Sequence, residues 1–474
     1  MFARPLKTQA HLMTEHMSQG FAMTVPMRPY QNDAVAEASK ADNGGILCLP
    51  CGAGKTMIAI QIAARRNGDA LIFCNTTEVV LQVVRHLQQF TDLEDHQIMR
   101  LTATHKSRIL KTNEKPIVMV TTYAMMAGQN GRTEHTRRCM NVIMTHRWRT
   151  IVLDEVHCAA ATASSDCWRR ILADARYGLT ATLVRADNGV KNLLHEVGPR
   201  LYEMQWRELE NTGFTARVLP IVVFCDVPAE LSRLNDRVRA LVDIMNSSKI
   251  AACDAIVAKH TAMDEKIIVF CDKLWPCQKL AVRYMCPFIT GDTPDDERQE
   301  MLSSFRNGRY SMIVLSRVGD TGWDLDASVA IVVDAHFGSE RQEAQRFGRI
   351  MRPNRNGDAS TFYDLVSKTG NRVECFWRRN KFLSELGYKF KKVDAKAISQ
   401  FLGLQHVAPR FDYESCLGDI KTHDVEVTSK AEQSAHNAEM KSARRKEAAA
   451  VKRAHPVFKK RVKDNFKKRW SVNP

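Results

Sequence analysis

The stretch ILCLPCGAGKTM, residues 46–57, runs from a short apolar segment through a turn holding Gly52 and Gly54 into a Lys55-Thr56 pair. The apolar run predicts a buried strand, and the glycines predict a sharp break before a helix beginning at Lys55. A helix start after such a turn attracts anions, because free backbone N–H groups and the positive end of the helix dipole converge there. Pro50, Cys51, Gly52, Ala53, Gly54, Lys55 and Thr56 therefore read as a loop around the phosphates of ATP. The Lys55 ammonium reaches the β- and γ-phosphates and the Thr56 hydroxyl reaches Mg2+. Leu49 stands where the common form of this loop has its first glycine. Pro50 stiffens the turn instead, in a Pro-x-Gly-x-Gly-Lys-Thr form. Cys48 and Cys51 have the spacing of paired metal ligands, but no second pair at that spacing accompanies them. The cysteines read as a buried strand residue and a loop residue.

Outward from this loop, short apolar strands alternate with helical stretches. Strands are predicted at 46–49, 71–74, 117–121, 151–154 and 177–182, with helices from Lys55 and over 77–90. Such alternation implies a parallel sheet with helices on both faces, and ligands at the carboxyl ends of its strands. A second series at 219–225, 267–270, 288–289, 312–315, 330–334 and 360–365 predicts a second α/β sheet of the same class. Between its first two strands, Leu234, Val238, Leu241, Val242 and Met245 recur at helical spacing, so 228–260 reads as an amphipathic helix pair. The expected division is an N-terminal tail at 1–27, a first domain at 28–213, a second at 214–400 and a basic extension at 401–474. The join lies near 198–217, with Gly213 as its hinge.

The segment IVLDEVH, 151–157, ends a buried strand in Asp154 and Glu155. Two carboxylates there are costly unless they hold a cation. Asp154 suits Mg2+, and Glu155 suits the positioning and deprotonation of an attacking water. In QRFGRIMR, 345–352, Gln345, Arg349 and Arg352 fall four and three residues apart, on one helical face. Arginines from a second domain can stabilise charge on a phosphoryl group in transfer. Together these residues predict an ATP site split across two domains, which nucleotide binding closes and hydrolysis opens.

The 474 residues carry a net charge of +16, with 44% apolar and 26% charged residues. From Lys441 to the C-terminus, thirteen Lys and Arg face two acids, Glu447 and Asp464. This basic tail points to a polyanion such as nucleic acid; a solubilising disordered tail is the plainer alternative. The thirteen scattered cysteines suit a reducing, intracellular setting. No apolar run approaches the length of a membrane span. The N-terminal segment has no continuous apolar core and is not a secretory signal, and a mitochondrial presequence is not favoured.

Eight motifs follow one another in a single order: RPYQ (28–31), PCGAGKT, LDEVH, LTATLVR (179–185), GPRLYE (198–203), SRVGDTGWDL (316–325), EAQRFGRIMR and FYDLVS (362–367). With FLSELGYKF (382–390), this set resembles the superfamily 2 DNA helicases of the XPB (xeroderma pigmentosum group B) type, over about 28–392. The resemblance implies two tandem RecA-like domains and a 3′-to-5′ translocase acting on single-stranded DNA or a duplex–single strand junction. It implies that Arg28 and Gln31 bind the nucleotide, with Gln31 reading the adenine, and that Asp324 contacts the nucleotide from the second domain. Thr180, Thr182, Arg185, Asp187, Ser316, Arg317, Thr321 and Trp323 then fall in motifs that couple hydrolysis to DNA. Trp323 equally suits base stacking or a core position. The helices at 228–260 fall where that family has a DNA-gripping thumb.

Three departures stand out. The family's Arg-Glu-Asp triplet reads Arg185-Ala186-Asp187 here. Only 27 residues precede Arg28, too few for the family's damage-recognition domain, which suits a viral or accessory enzyme. The basic tail matches no family segment. The expected setting is at DNA, in a nucleus or a viral replication site, as a monomer, in repair, transcription or viral DNA metabolism. A nuclease or a transcription complex is the kind of partner expected. An RNA helicase and a non-catalytic DNA-binding scaffold are the alternatives.

Overall fold

The computed structural model describes residues 20–103, 117–127, 133–159, 168–181, 189–227, 243–320, 325, 327–334, 339–351 and 359–404. The first half contributes β1 (Gly44–Cys48), β2 (Ala70–Cys74), β3 (Ile98–Leu101), β4 (Val118–Thr122), β5 (Trp148–Asp154), β6 (Ala173–Thr180) and β7 (Arg200–Glu203). They form one sheet in the order β3-β4-β2-β5-β6-β1-β7, every pairing parallel. The second half contributes β8 (Val218–Cys225), β9 (Ile267–Cys271), β10 (Phe288–Ile289), β11 (Met312–Leu315), β12 (Val329–Asp334), β13 (Ser360–Ser367) and β14 (Lys391–Asp394). Their order is β10-β11-β9-β12-β13-β8-β14, again all parallel. Numbered from its own first strand, each sheet has the same order, so the chain repeats one architecture.

Both sheets are buried on both faces, which is why their strands are continuous apolar runs. Leu71 and Phe73 face one core with Ile46, Met119 and Ile151, while Ile72 and Cys74 face the other with Leu47, Val120 and Val152. In the second sheet Val269 and Val314 feed one core, and Ile268, Phe270 and Ile313 the other.

Three strands lie outside the sequence expectation: β3, β7 and β14. Each is an edge strand, and β7 (RLYE) and β14 (KKVD) are short and mostly solvent-facing, so charge masks their strand character. The thumb reading of 228–260 needs correction over its second part. The helix Ser247–Ala262 is a crossover helix of the second sheet, with Ile250, Ala252, Cys253, Ala255 and Ile256 buried in the core against β8, β12 and β13. Residues 228–242 lie outside the described residues.

The join is more specific than a flexible hinge. The helix Trp206–Asn211 sends Trp206 into the second domain's core and Leu209 into the first domain's core. Glu210 then accepts hydrogen bonds from the Tyr388 hydroxyl at 2.7 Å and the Val218 N–H at 3.3 Å, tying the connector to FLSELGYKF. Across the cleft between the halves, Arg298 on the helix Asp295–Arg306 pairs with Glu78 on the helix Thr77–Phe90.

Candidate active site at the domain seam

Three adjacent strands, β5, β6 and β1, deliver the first half of the site at their carboxyl ends. Cys48 lies opposite Thr180, and Leu49 N–H donates to the Thr180 carbonyl at 2.9 Å, so the phosphate loop starts beside the end of β6. Gly52 and Gly54 take φ of +82° and +75°, which a side chain would strain. A Cβ at Gly54 would stand 2.4 Å from Gln31 Nε2. The loop then enters the helix Lys55–Arg65, with Thr56 in its first turn. Cys48 is buried, and burial pushes its thiol up to about 12, so it behaves as an inert strand residue.

Gln31 braces this loop. Its side-chain amide donates to the Ala53 carbonyl at 2.9 Å, and its oxygen accepts the Arg28 N–H at 3.0 Å. The Tyr30 hydroxyl reaches the same Ala53 carbonyl at 3.1 Å.

The Lys55 ammonium lies 3.8 Å from the Glu155 carboxylate and 3.4 Å from the Leu49 carbonyl. Burial alone would depress its pKa, but Cys51, Glu155 and Asp154 outweigh burial and hold it above the ordinary lysine value. Burial, and then the neighbouring Glu155, push the Asp154 carboxyl up to about 7 against the pull of Lys55. Two carboxyls facing one ammonium leave a negative excess. These carboxylate oxygens, with a hydroxyl at Thr56 in the first turn of the helix Lys55–Arg65, are the donor types a hard divalent cation takes, so the residues fit Mg2+. His157 links this site to β6: its Nδ1 lies 3.1 Å from the Thr180 hydroxyl and 3.5 Å from Glu155.

The second half arrives from the other sheet. Gln345 lies on the helix Glu340–Phe347, which ends before Arg349; Arg349 sits in the tight turn Gly348–Ile350. The backbone stays helical here but tightens at Gly348. At that turn a Cβ on Gly348 would lie 2.2 Å from Cys51 Cβ and 2.7 Å from its sulfur. Cys51 thus packs into the second domain's core, and Arg349 is close enough for its charge to oppose that of Lys55. Ser316 is buried at the end of β11, and the exposed Arg317 lies 3.7 Å from Asp272. Thr182, Arg185, Asp187, Thr321, Trp323, Asp324, Arg352 and the basic tail lie outside the described residues.

Sequence reasoning passed over Arg346, which stands inside QRFGRIMR and is fully buried. It bonds Asp272 at 2.5 Å, lies 4.0 Å from Glu343 and stacks over Phe270. Glu343 in turn meets Arg379 at 3.4 Å, and Arg379 pairs with Asp364 on β13. The flanking Ala344 and Phe347, both buried, were the available signal. Asp272, Glu343 and Asp364 share two buried guanidinium groups here, with the exposed Arg317 also beside Asp272. Burial, and then Asp364, push the Glu343 carboxyl up to about 7, against Arg379 and Arg346. A carboxyl whose folded-state value is raised contributes stability at acid pH that is lost as the pH rises through that value. Between pH 6 and pH 8 the melting temperature of Glu343→Gln should therefore fall by about a few degrees less than that of the parent, the raised Asp154 carboxyl contributing equally to both. Thermal melting at the two pH values checks this, and equal pH slopes would remove the charge excess from Glu343.

Two parallel α/β lobes with a phosphate loop in the first and an arginine turn from the second define a tandem RecA-like protein of the helicase fold. A solved structure of S. cerevisiae Dbp5 bound to RNA and ADP BeF3 shares this fold, with a TM-score of 0.56 at 15% identity, covering 80% of this chain and 92% of that one. The family described as ERCC3/RAD25/XPB C-terminal helicase matches residues 209–451, and the type III restriction enzyme res subunit family matches 24–185. The chain belongs to the ERCC3/RAD25/XPB helicase family. It is 36% identical over 400 residues to the Saccharomyces cerevisiae general transcription and DNA repair factor IIH helicase/translocase subunit XPB/SSL2, covering 82% of this chain and 46% of that protein. The Danio rerio XPB subunit is 34% identical over 389 residues, covering 78% and 48%. The chain thus spans about half the length of these curated relatives. No helix among the described residues is long and apolar enough to cross a membrane.

Proposed function

We propose that the chain is a DNA-stimulated ATPase that translocates on or opens duplex DNA with 3′-to-5′ polarity. One observation carries the reading: Lys55, Asp154 and Glu155 from the first sheet and Arg349 from the second converge on one seam. Family membership supports DNA as the track. Lys55 and the loop N–H groups hold the phosphates of ATP, and Thr56 and Asp154 would hold Mg2+, which neutralises phosphate charge when bound. Glu155 takes the proton of the attacking water, and Arg349, with Gln345 and Arg352 nearby in sequence, meets the charge that builds on the leaving phosphates. Arg28 and Gln31 serve the nucleotide by fixing the loop, and the family resemblance assigns Asp324 as the second domain's contact to it. The His157–Thr180 contact carries the state of the site to β6 and on to Thr182, Arg185 and Asp187. Ser316, Arg317, Thr321 and Trp323 do the same from the second domain. The chain works at DNA, in a nucleus or a viral replication site, alongside a nuclease or a transcription complex.

ATP hydrolysis by the purified chain with single-stranded DNA, tailed duplex or RNA tests the reading. DNA should stimulate turnover more than RNA does. Stronger stimulation by RNA would make this an RNA helicase, and no hydrolysis with any nucleic acid would leave a binding scaffold.

A further inference from the structure

Glu155 occupies a backbone conformation that glutamate avoids, with φ +48° and ψ +56°. Among the described residues, the other non-glycine residues at positive φ are Asn67, Asp264 and Met285. Asn67 and Asp264 are short polar residues that tolerate this region, and Met285 closes the helix Leu274–Tyr284. Glu155 has neither excuse, and it stands in the candidate catalytic pair. Such a conformation persists only where its surroundings hold it.

What holds it is visible on both edges of the Asp154–Glu155 peptide. The Glu155 N–H donates to the Asp154 carboxylate at 3.1 Å. On the opposite edge, the Tyr123 hydroxyl donates to the Asp154 carbonyl at 2.8 Å. This carbonyl lies past the strand ladder on that side, because the β2–β5 pairing stops at Phe73 opposite Leu153. Tyr123 supplies the bond that a longer β2 would have made. It follows β4 directly, opens the short helix Tyr123–Ala127, is buried, and stacks on Phe73 with ring centroids 5.6 Å apart and planes 13° apart. The next turn is closed by Cys158 N–H on the Glu155 carbonyl at 2.7 Å. Rotation of the peptide would break the Tyr123 bond and swing the Glu155 carboxylate away from Lys55 and His157.

We propose that Tyr123 is the positioning residue for Glu155, its hydroxyl locking the Asp154–Glu155 peptide so that the carboxylate faces the water to be activated. Burial holds the phenol well above its ordinary pKa, so it remains a donor throughout the working range. This inference rests on the reading of Glu155 as the general base.

The test is DNA-stimulated ATP hydrolysis by Tyr123→Phe, which removes one oxygen and keeps the ring. The expected kcat falls about tenfold to a hundredfold, while KM for ATP and affinity for a fluorescent ATP analogue stay at parental values. Phe73→Leu, which loosens the stack but keeps the hydroxyl, should retain parental kcat. Parental kcat in Tyr123→Phe would overturn the proposal. So would loss of nucleotide binding together with kcat, which would make Tyr123 a support of the fold, and so would an equal kcat loss in Phe73→Leu. A parent chain with no hydrolysis on any nucleic acid would instead bring down the reading of Glu155, and the proposal with it.

Discussion

Glu155→Gln should bind ATP with near-parental affinity and lose hydrolysis by about a hundredfold to ten-thousandfold, the range a general base contributes. The substitution keeps the side chain's shape and removes its capacity to take a proton. The Lys55 pairing weakens, since the 3.8 Å contact loses its charge. That loss also leaves Asp154 without its carboxylate neighbour, one of the causes that raise it, so Asp154 becomes more readily ionised and nucleotide binding is preserved. Equilibrium binding of a fluorescent ATP analogue, read beside phosphate release with saturating DNA, separates the two effects. Turnover within a few-fold of the parent would take Glu155 out of the role of base.

The second large effect is expected at the far side of the seam. Arg349→Ala should reduce kcat by about a thousandfold or more, the scale on which a guanidinium at a phosphoryl transfer acts. Its positive charge already acts on Lys55 in the phosphate loop. Because the effect belongs to the transition state, KM should change far less than kcat. Arg349→Lys should restore little, because a single ammonium cannot reproduce the planar, forked donor set. A variant that loses ATP affinity and keeps kcat would assign Arg349 to ground-state binding.

Much of this architecture is legible in the residues because a strand buried on both faces is a plain apolar run. ILCL, ALIFC and IIVFC announce themselves, and the glycines after the first of these mark where it must turn. The helix over 77–90 falls where the apolar spacing and the Thr76 cap put it. What is not legible depends on contacts distant in sequence. The helix Glu340–Phe347 tightens at Gly348, and Gly348 packs against Cys51, almost 300 residues away, with no space for a side chain. Tyr123 looks like any aromatic after a strand until the β2–β5 register shows a carbonyl beyond its last partner. Arg346 is hidden because a buried guanidinium and a solvated one look alike in sequence. Only the assembled Asp272, Glu343 and Asp364 reveal why a charge is inside.

The contact between Cys51 and Gly348 has a mechanical consequence. There is no room at Gly348 for even a methyl group against Cys51. A short side chain of one lobe set against the bare backbone of the other gives their approach a hard end point, as a ratchet pawl has at the root of a tooth. Packed interiors yield little, so the lobes cannot be squeezed further by tighter ligand binding. In the translocation cycle proposed above, the length of each stroke would then be set by geometry rather than by the energy available, and a stronger push would change how often the lobes meet, not how far they travel.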